Sequence, residues 1–187
     1  MTVMTRTRQP EETRARIIEA AIEAADELGA GSFTLDAVVS RLSLSKGALL
    51  HHFPSKRALL EGVIDHLARE LVARVTAAAA EDPDPYVTLS RAYLRVTIQD
   101  VAEPGYVRSG RVALIACLIE PELAARWHEQ MLALFPEGET DKARADDALM
   151  LRLLADGLWL SDIMGGVKIP PDQRQALMHL LCARPAA

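Results

Sequence analysis

Two adjacent histidines, His51 and His52, stand in the stretch SLSKGALLHHFPSKRALL (43–60) with Lys46, Lys56 and Arg57 and no acid. Imidazole and ammonium groups together suggest three chemistries: metal binding, proton transfer, or capture of a polyanion. Metal is disfavoured by spacing. Neighbouring side chains on a helix point about 100° apart, whereas a helical zinc pair sits at i, i+4. No CxxC or Cys/His cluster accompanies the pair, so neither metal nor cofactor is expected. A catalytic histidine needs a partnered nucleophile or acid, and none lies nearby in the chain. The wider sequence carries no GxSxG, HExxH or phosphate-binding loop and no paired catalytic carboxylates at helix spacing, so no enzyme is expected. Capture of a polyanion and a plain solvated polar helix face remain.

Charge placement agrees with the polyanion reading. The 187 residues carry a net charge of -5. Residues 1–57 hold eight Lys/Arg against seven Asp/Glu, and the remainder 13 against 19. Arg6 and Arg8 precede any acid. A near-neutral head on an acidic body predicts a polyanion partner for the head alone. Apolar residues form 50% of the chain, enough for a sizeable core, and the Ala/Leu richness favours helix. Cys117 and Cys182 lie in apolar contexts and read as reduced, buried thiols. No apolar run approaches the ~20 residues of a membrane span, and the N-terminus lacks the apolar segment of a signal peptide. A cytoplasmic protein with no membrane partner is expected.

The elements that must position these groups can be read from periodicity and punctuation. Ile17, Ile18, Ala21, Ile22, Ala25 and Leu28 share one face of a first helix, Glu11 to Gly29, with Pro10 before it. Thr34 caps a short second helix that turns Leu35, Val38, Val39 and Leu42 inward, and Ser45 caps a short third helix. Pro54 stops that helix at Phe53, because the residue before a proline is pushed out of helical geometry. Ser55 caps a long fourth helix to about Ala80. Breaks at EDPDP, EPG, PEGETD and GG–IPP separate five more. The expected fold is all-α, with about nine helices. A three-helix helix-turn-helix domain over 1–60 precedes a larger helical domain over 61–187.

Two short helices joined by a tight turn, covered by a first helix, form a helix-turn-helix, whose second helix enters the DNA major groove. On that helix Leu49 and Phe53 face inward, while Lys46, Gly47, Leu50 and His51 face outward. Thr34 and Ser45 offer hydroxyls beside helix N-termini. Lys46 suits guanine or phosphate, Gly47 permits close backbone approach, and Ala48 offers a methyl to thymine. His51 and His52 are ring donors, Lys56 suits a phosphate, and Arg6 and Arg8 suit an arm into the minor groove.

The segment TRARIIEAAIEAADELGAGSFTLDAVVSRLSLSKGALLHHFPSKRALL resembles the N-terminal domain of tetracycline-repressor (TetR) family regulators. The likeness rests on the Ile/Ala first helix, the GAGSFTL turn, the SKGAL recognition helix and the HFPSKRALL entry to helix four. At Leu50 the family usually has Tyr, and losing that hydroxyl forfeits a hydrogen bond worth about 1 kcal/mol. The resemblance implies a double-stranded DNA operator as partner and a homodimer through the last two helices. A stripe of Leu149, Leu153, Leu160, Leu177 and Leu181 is suited to that packing. It also implies a small, mostly apolar effector that releases a repressor from a palindrome by moving helix six against helix four. The candidate effector residues are Tyr93, Tyr106, Trp127, Met131 and Trp159, with Arg111 or His128 as polar tips. Helix six, apolar on most sides, is expected to be central. A hydrophobic-ligand carrier and a regulator sensing Cys117 oxidation are the alternatives.

Overall fold

The computed structural model describes residues 5–82, 87–132, 134–135 and 140–182, except the side chains of 5–9 and 181–182. The described residues form nine α-helices and no strand. These are α1 (Thr5–Leu28), α2 (Leu35–Val39), α3 (Lys46–His52), α4 (Lys56–Ala80), α5 (Thr88–Asp100), α6 (Tyr106–Ile119), α7 (Pro121–Leu132), α8 (Lys142–Met164) and α9 (Pro171–Cys182). The chain is all-α. It divides into two compact units, Met1–Leu67 with Arg111–Trp127, and Ala68–Gly110 with His128–Ala187. Division at residue 60 follows the chain, whereas these units follow packing, and residues 111–127 join the first.

In the first unit, Ile17, Ile18, Ala21, Ile22 and Ala25 of α1 are buried, as the periodicity requires. α1 begins earlier than the Glu11 start, so Pro10 lies inside the helix rather than before it. Its missing N–H removes one bond in the second turn, a local loss that leaves the remaining turns intact. Gly29, at φ 87°, takes the left-handed position that ends α1. Thr34 Oγ1 accepts from Ala37 N at 3.1 Å, and Ser45 Oγ accepts from Ala48 N at 3.1 Å. Ser55 Oγ accepts from Ala58 N at 3.0 Å, so all three short-range caps form as the sequence predicts. Phe53 is extended, at φ -139° and ψ 98°, as the following Pro54 demands.

The packing centre of this unit is Phe53, which is 2% exposed. A β-carbon built on Gly62 would lie 2.5 Å from Phe53 Cε1, so α4 meets the ring only because residue 62 has no side chain. The Arg14 guanidinium covers the ring, 4.3 Å from its centroid. Val112, Ala113, Ala116 and Leu123 complete the same core.

α6 departs from expectation. Its Val107, Ile115, Leu118 and Ile119 are exposed, Leu118 at 73%. A helix apolar all round can bury only the faces for which the chain supplies partners, and α6 finds them for Val112, Ala113 and Ala116.

The second unit is built on α5 packed against α8 and α9. Ala92, Leu94, Val96, Leu151, Ala155 and Leu158 are buried there. Several of its buried polar groups are paired. Arg91 and Arg95 share the Asp82 carboxylate, at 2.7 Å and 2.6 Å, and Thr97 Oγ1 donates to Tyr93 O at 2.9 Å. Arg174 forks onto Asp162, with both side chains 6% exposed, and so joins α9 to the end of α8. Leu177 packs inward on this core, which corrects its place in the expected stripe. The outward residue of α9 is Leu180, while the Leu181 side chain falls outside the described residues.

Replacing Gly62 by Ala forces the Phe53 ring to move. The cost of such overpacking is about 1–3 kcal/mol. Urea unfolding of the Gly62→Ala chain is expected to show a lower midpoint at unchanged slope. A midpoint equal to wild type would refute the close packing.

Candidate nucleic-acid interface

α2, the turn 40–45 and α3 form the helix-turn-helix. The turn is closed by Ser40 N donating to Asp36 O at 2.9 Å and Arg41 N to Val38 O at 3.1 Å. Leu49 and Phe53 anchor the inner side of α3, and Leu35, Val39, Leu42 and Leu44 pack half-buried around the same core. That anchoring fixes what points outward. Lys46, Gly47, Leu50 and His51 are exposed, whereas Ala48 and His52 are half-buried. Leu50 is 38% exposed, an apolar side chain on the outer face that solvent does not explain.

Gly47 carries the most information. A β-carbon there would meet nothing closer than Ser45 Oγ at 3.9 Å, so the fold has no use for a glycine at this position. A glycine inside a helix costs roughly 0.5–1 kcal/mol relative to alanine. The space it leaves open faces outward, on the exposed side of α3.

The basic groups are less free than their sequence suggests. Lys46 Nζ lies 2.9 Å from Asp36 Oδ1. Arg41 pairs with Glu27, and Arg57 Nε lies 3.2 Å from Glu61 Oε1. Lys56 Nζ donates to the Gly31 carbonyl at 2.5 Å and sits 4.8 Å from the Phe33 ring centroid. Lys56 therefore staples the turn after α1 to the start of α4, and a phosphate would have to compete for it.

His51 and His52 meet edge to face, with centroids 5.7 Å apart, and line a groove of about 480 Å³ with Pro10, Glu12, Thr13 and Arg16 of α1. Arg16 and Thr13 were not singled out in the sequence. The signal was available, because Thr13 and Arg16 fall one turn apart, off the buried Ile17/Ala21 face. Among the described residues no group of three or more His, Cys, Asp or Glu could hold a metal ion. The Arg6 and Arg8 side chains lie outside the described residues.

The candidate effector residues fall in both units. Arg111 and Trp127 belong to the first unit, where Arg111 Nε pairs with Asp26 Oδ1 at 2.9 Å and Trp127 packs on the core. Tyr93, Tyr106, Met131, Trp159 and the exposed His128 belong to the second. Tyr93 and Met131 share its core, and Tyr93 Oη donates to Asp156 Oδ1 at 2.6 Å. The Tyr93 hydroxyl pKa is raised, by burial first and by Asp156 second. Trp159 and Ile163 lie against Gly110, where a β-carbon would come 2.7 Å from Ile163 Cγ2. The Tyr106 hydroxyl is buried without a hydrogen-bond partner among the described residues, and its pKa is raised by burial and by Asp162.

Gly47→Ala is expected to keep or slightly raise the melting temperature. Arg16→Ala is expected to leave folding unchanged. Both should weaken retention of a promoter duplex, and Arg16→Ala should lower the slope of log affinity against log salt by about one. Wild-type binding by either variant would remove that residue from the interface.

Comparison with known proteins agrees with this geometry. Residues 17–63 match the family model described as bacterial regulatory proteins, tetR family. Residues 87–184, more than half of the chain, match the tetracyclin repressor-like C-terminal domain. The HTH-type transcriptional regulator BetI of Burkholderia mallei (strain NCTC 10229) is 31% identical over 173 residues, covering 88% of this chain and 87% of BetI. Among solved structures, a transcriptional regulator of Rhodococcus sp. Rha1 superposes with TM-score 0.68 at 22% identity, covering 91% of this chain and 94% of that one. The multidrug binding protein EbrR, complexed with imidazole, superposes with TM-score 0.64 at 27% identity, covering 94% and 93%. The chain belongs to the tetracycline-repressor family of DNA-binding transcriptional regulators, and is not an enzyme.

Proposed function

We propose that the protein is a homodimeric repressor that holds a palindromic operator through α3 and releases it when a small, mostly apolar effector binds the second unit. The observation that carries dimerisation is a line of exposed apolar residues along α8. Leu149, Leu153, Leu160 and Met164 recur at helical spacing, with Leu153 61% and Met164 70% exposed. Leu151, Ala155 and Leu158, on the other side of α8, serve the chain's own core. Gly157 lies within the exposed line, and a β-carbon there would meet nothing within 4 Å, so a second helix has room to approach. Leu180 of α9, 70% exposed, adds to the same kind of surface. Apolar surface of this kind is stabilised by burial against a second copy, in a bundle of α8 and α9 from each subunit. Two α3 helices about 34 Å apart then read successive major-groove turns of a palindrome.

On this reading Thr34, Ser45, Lys46, Gly47, Ala48, Leu50, His51 and His52 meet DNA, and Lys56 contributes mainly by holding the turn. The effector reading rests on Tyr106, because a buried hydroxyl without a partner costs about 1–3 kcal/mol that an accepting ligand would recover. EbrR's printed description as a multidrug binding protein favours a small organic effector here. Coupling between effector and operator would be reciprocal, of order 1–3 kcal/mol. Binding to the chromosome would place the protein in the cytoplasm. No helix among the described residues is long and apolar enough to cross a membrane. Sensing by Cys117 oxidation is disfavoured, since burial raises its pKa and keeps the thiol from the reactive thiolate form.

A gel shift on the promoter region of the protein's own gene tests the regulator reading, with salt-sensitive retardation expected. An absence of retardation at low salt would favour a ligand carrier. Leu153→Glu is expected to give a folded monomer by sedimentation, with operator affinity reduced at least tenfold because two half-sites no longer act together. A dimeric Leu153→Glu chain would sink the α8 interface.

A further inference from the structure

We propose that Asp36 sets the strength of operator binding, by holding Lys46 in an ion pair that DNA must open. This rests on the reading of α3 as the helix that meets DNA. Between Glu27 and Glu61 the chain contains four Lys/Arg and one acid, and that acid is Asp36. It is the only carboxylate on α2 or α3. Lys46 Nζ lies 2.9 Å from Asp36 Oδ1 and 3.0 Å from Oδ2, so both oxygens are engaged. The two side chains remain 53% and 71% exposed, so neither is fixed by packing and both lie open to an incoming duplex.

Three consequences follow from charge alone. First, Lys46 is neutralised before DNA arrives, so its approach to a phosphate or a guanine exchanges one partner for another. Second, once Lys46 turns to DNA, the Asp36 carboxylate stays nearby and repels phosphates. Third, a pre-neutralised lysine releases less of the DNA counterion atmosphere, which flattens the salt dependence. As the acid in the first turn of α2, Asp36 also faces the positive end of that short helix. The α2 cap is made by Thr34, and the turn bond from Ser40 uses the backbone carbonyl of residue 36 rather than its side chain. The ion pair is exposed, so it is weak enough for DNA to open. Asp36 thus lowers affinity for every duplex and leaves discrimination to contacts that do not depend on net charge.

The test uses the full-length dimer and a duplex selected by the wild-type protein from a random-sequence pool. Anisotropy titrations at several NaCl concentrations compare Asp36→Asn, Lys46→Ala and the double variant, with melting curves confirming the fold of each. Asp36→Asn is expected to bind about two- to fivefold tighter, the range of an exposed ion pair. Its slope of log affinity against log salt should steepen by up to about one. Lys46→Ala should bind more weakly, and adding Asp36→Asn to it should recover clearly less than Asp36→Asn gains alone. If Lys46→Ala weakens binding but Asp36→Asn does not tighten it, Asp36 does not restrain Lys46, and the DNA role of α3 stands. An equal gain in both backgrounds would mean phosphate repulsion alone and would overturn the ion-pair mechanism. Unchanged binding by Lys46→Ala would overturn the reading of α3 itself, and this proposal with it.

Discussion

The DNA-facing half of the molecule depends on one aromatic ring. Phe53 ends α3, lies under the Arg14 guanidinium of α1, and fills the space left by Gly62 on α4. Three helices therefore meet at a single side chain. Close-packed interiors leave little room for a ring to slide, so fixing Phe53 fixes the roll of α3 about its axis. Roll is the quantity that decides which residues meet a groove. With Leu49 and Phe53 inward, Gly47 and Leu50 can only be outward. Pro54 completes the arrangement by forcing the extended backbone that separates α3 from α4.

On that fixed face, charge is distributed with restraint. Each of the four Lys/Arg residues between Glu27 and Glu61 has a partner within the chain: Arg41 with Glu27, Lys46 with Asp36, Lys56 with Gly31, and Arg57 with Glu61. A surface with its cations already paired binds polyanions less avidly than its composition suggests. Lys56 shows the same economy differently. Its ammonium closes the turn at Gly31, so a residue that reads as a phosphate contact also serves the fold. Leu50 presents an exposed apolar side chain on the same outer face. On the proposed reading, the interface depends on shape and close approach, at Gly47 and Leu50, more than on net positive charge.

The second unit solves a different problem. Buried charges there are matched in pairs and triads, Arg91 and Arg95 with Asp82 and Arg174 with Asp162. Such pairs add little net stability but penalise any arrangement that breaks them. The first set ties α5 to the segment after α4, and the second ties α9 to the end of α8. Once α8 is held by Leu151, Ala155 and Leu158, its line of Leu149, Leu153, Leu160 and Met164 must face away.

The sequence alone determined the helices and most of their ends, the start of α1 at Thr5 rather than Glu11 excepted. Thr34, Ser45, Ser55, Pro54 and Gly29 act through bonds and dihedrals within a few residues of themselves, so their effects are legible without a fold. The inward and outward faces of α1 and α3 were legible for the same reason, because helical periodicity is a local property. What only the tertiary structure decided is which partner each side chain finds. Lys46 meets Asp36 ten residues away, Lys56 meets a carbonyl twenty-five residues away, and Arg111 meets Asp26 across eighty-five. Leu177 and Leu180 are three residues apart and equally apolar, yet one packs inward and the other is exposed. α6 looked central by composition, yet Leu118 and Ile119 are exposed. Composition states how apolar a helix is, and only the assembled neighbours state how much of it can be covered.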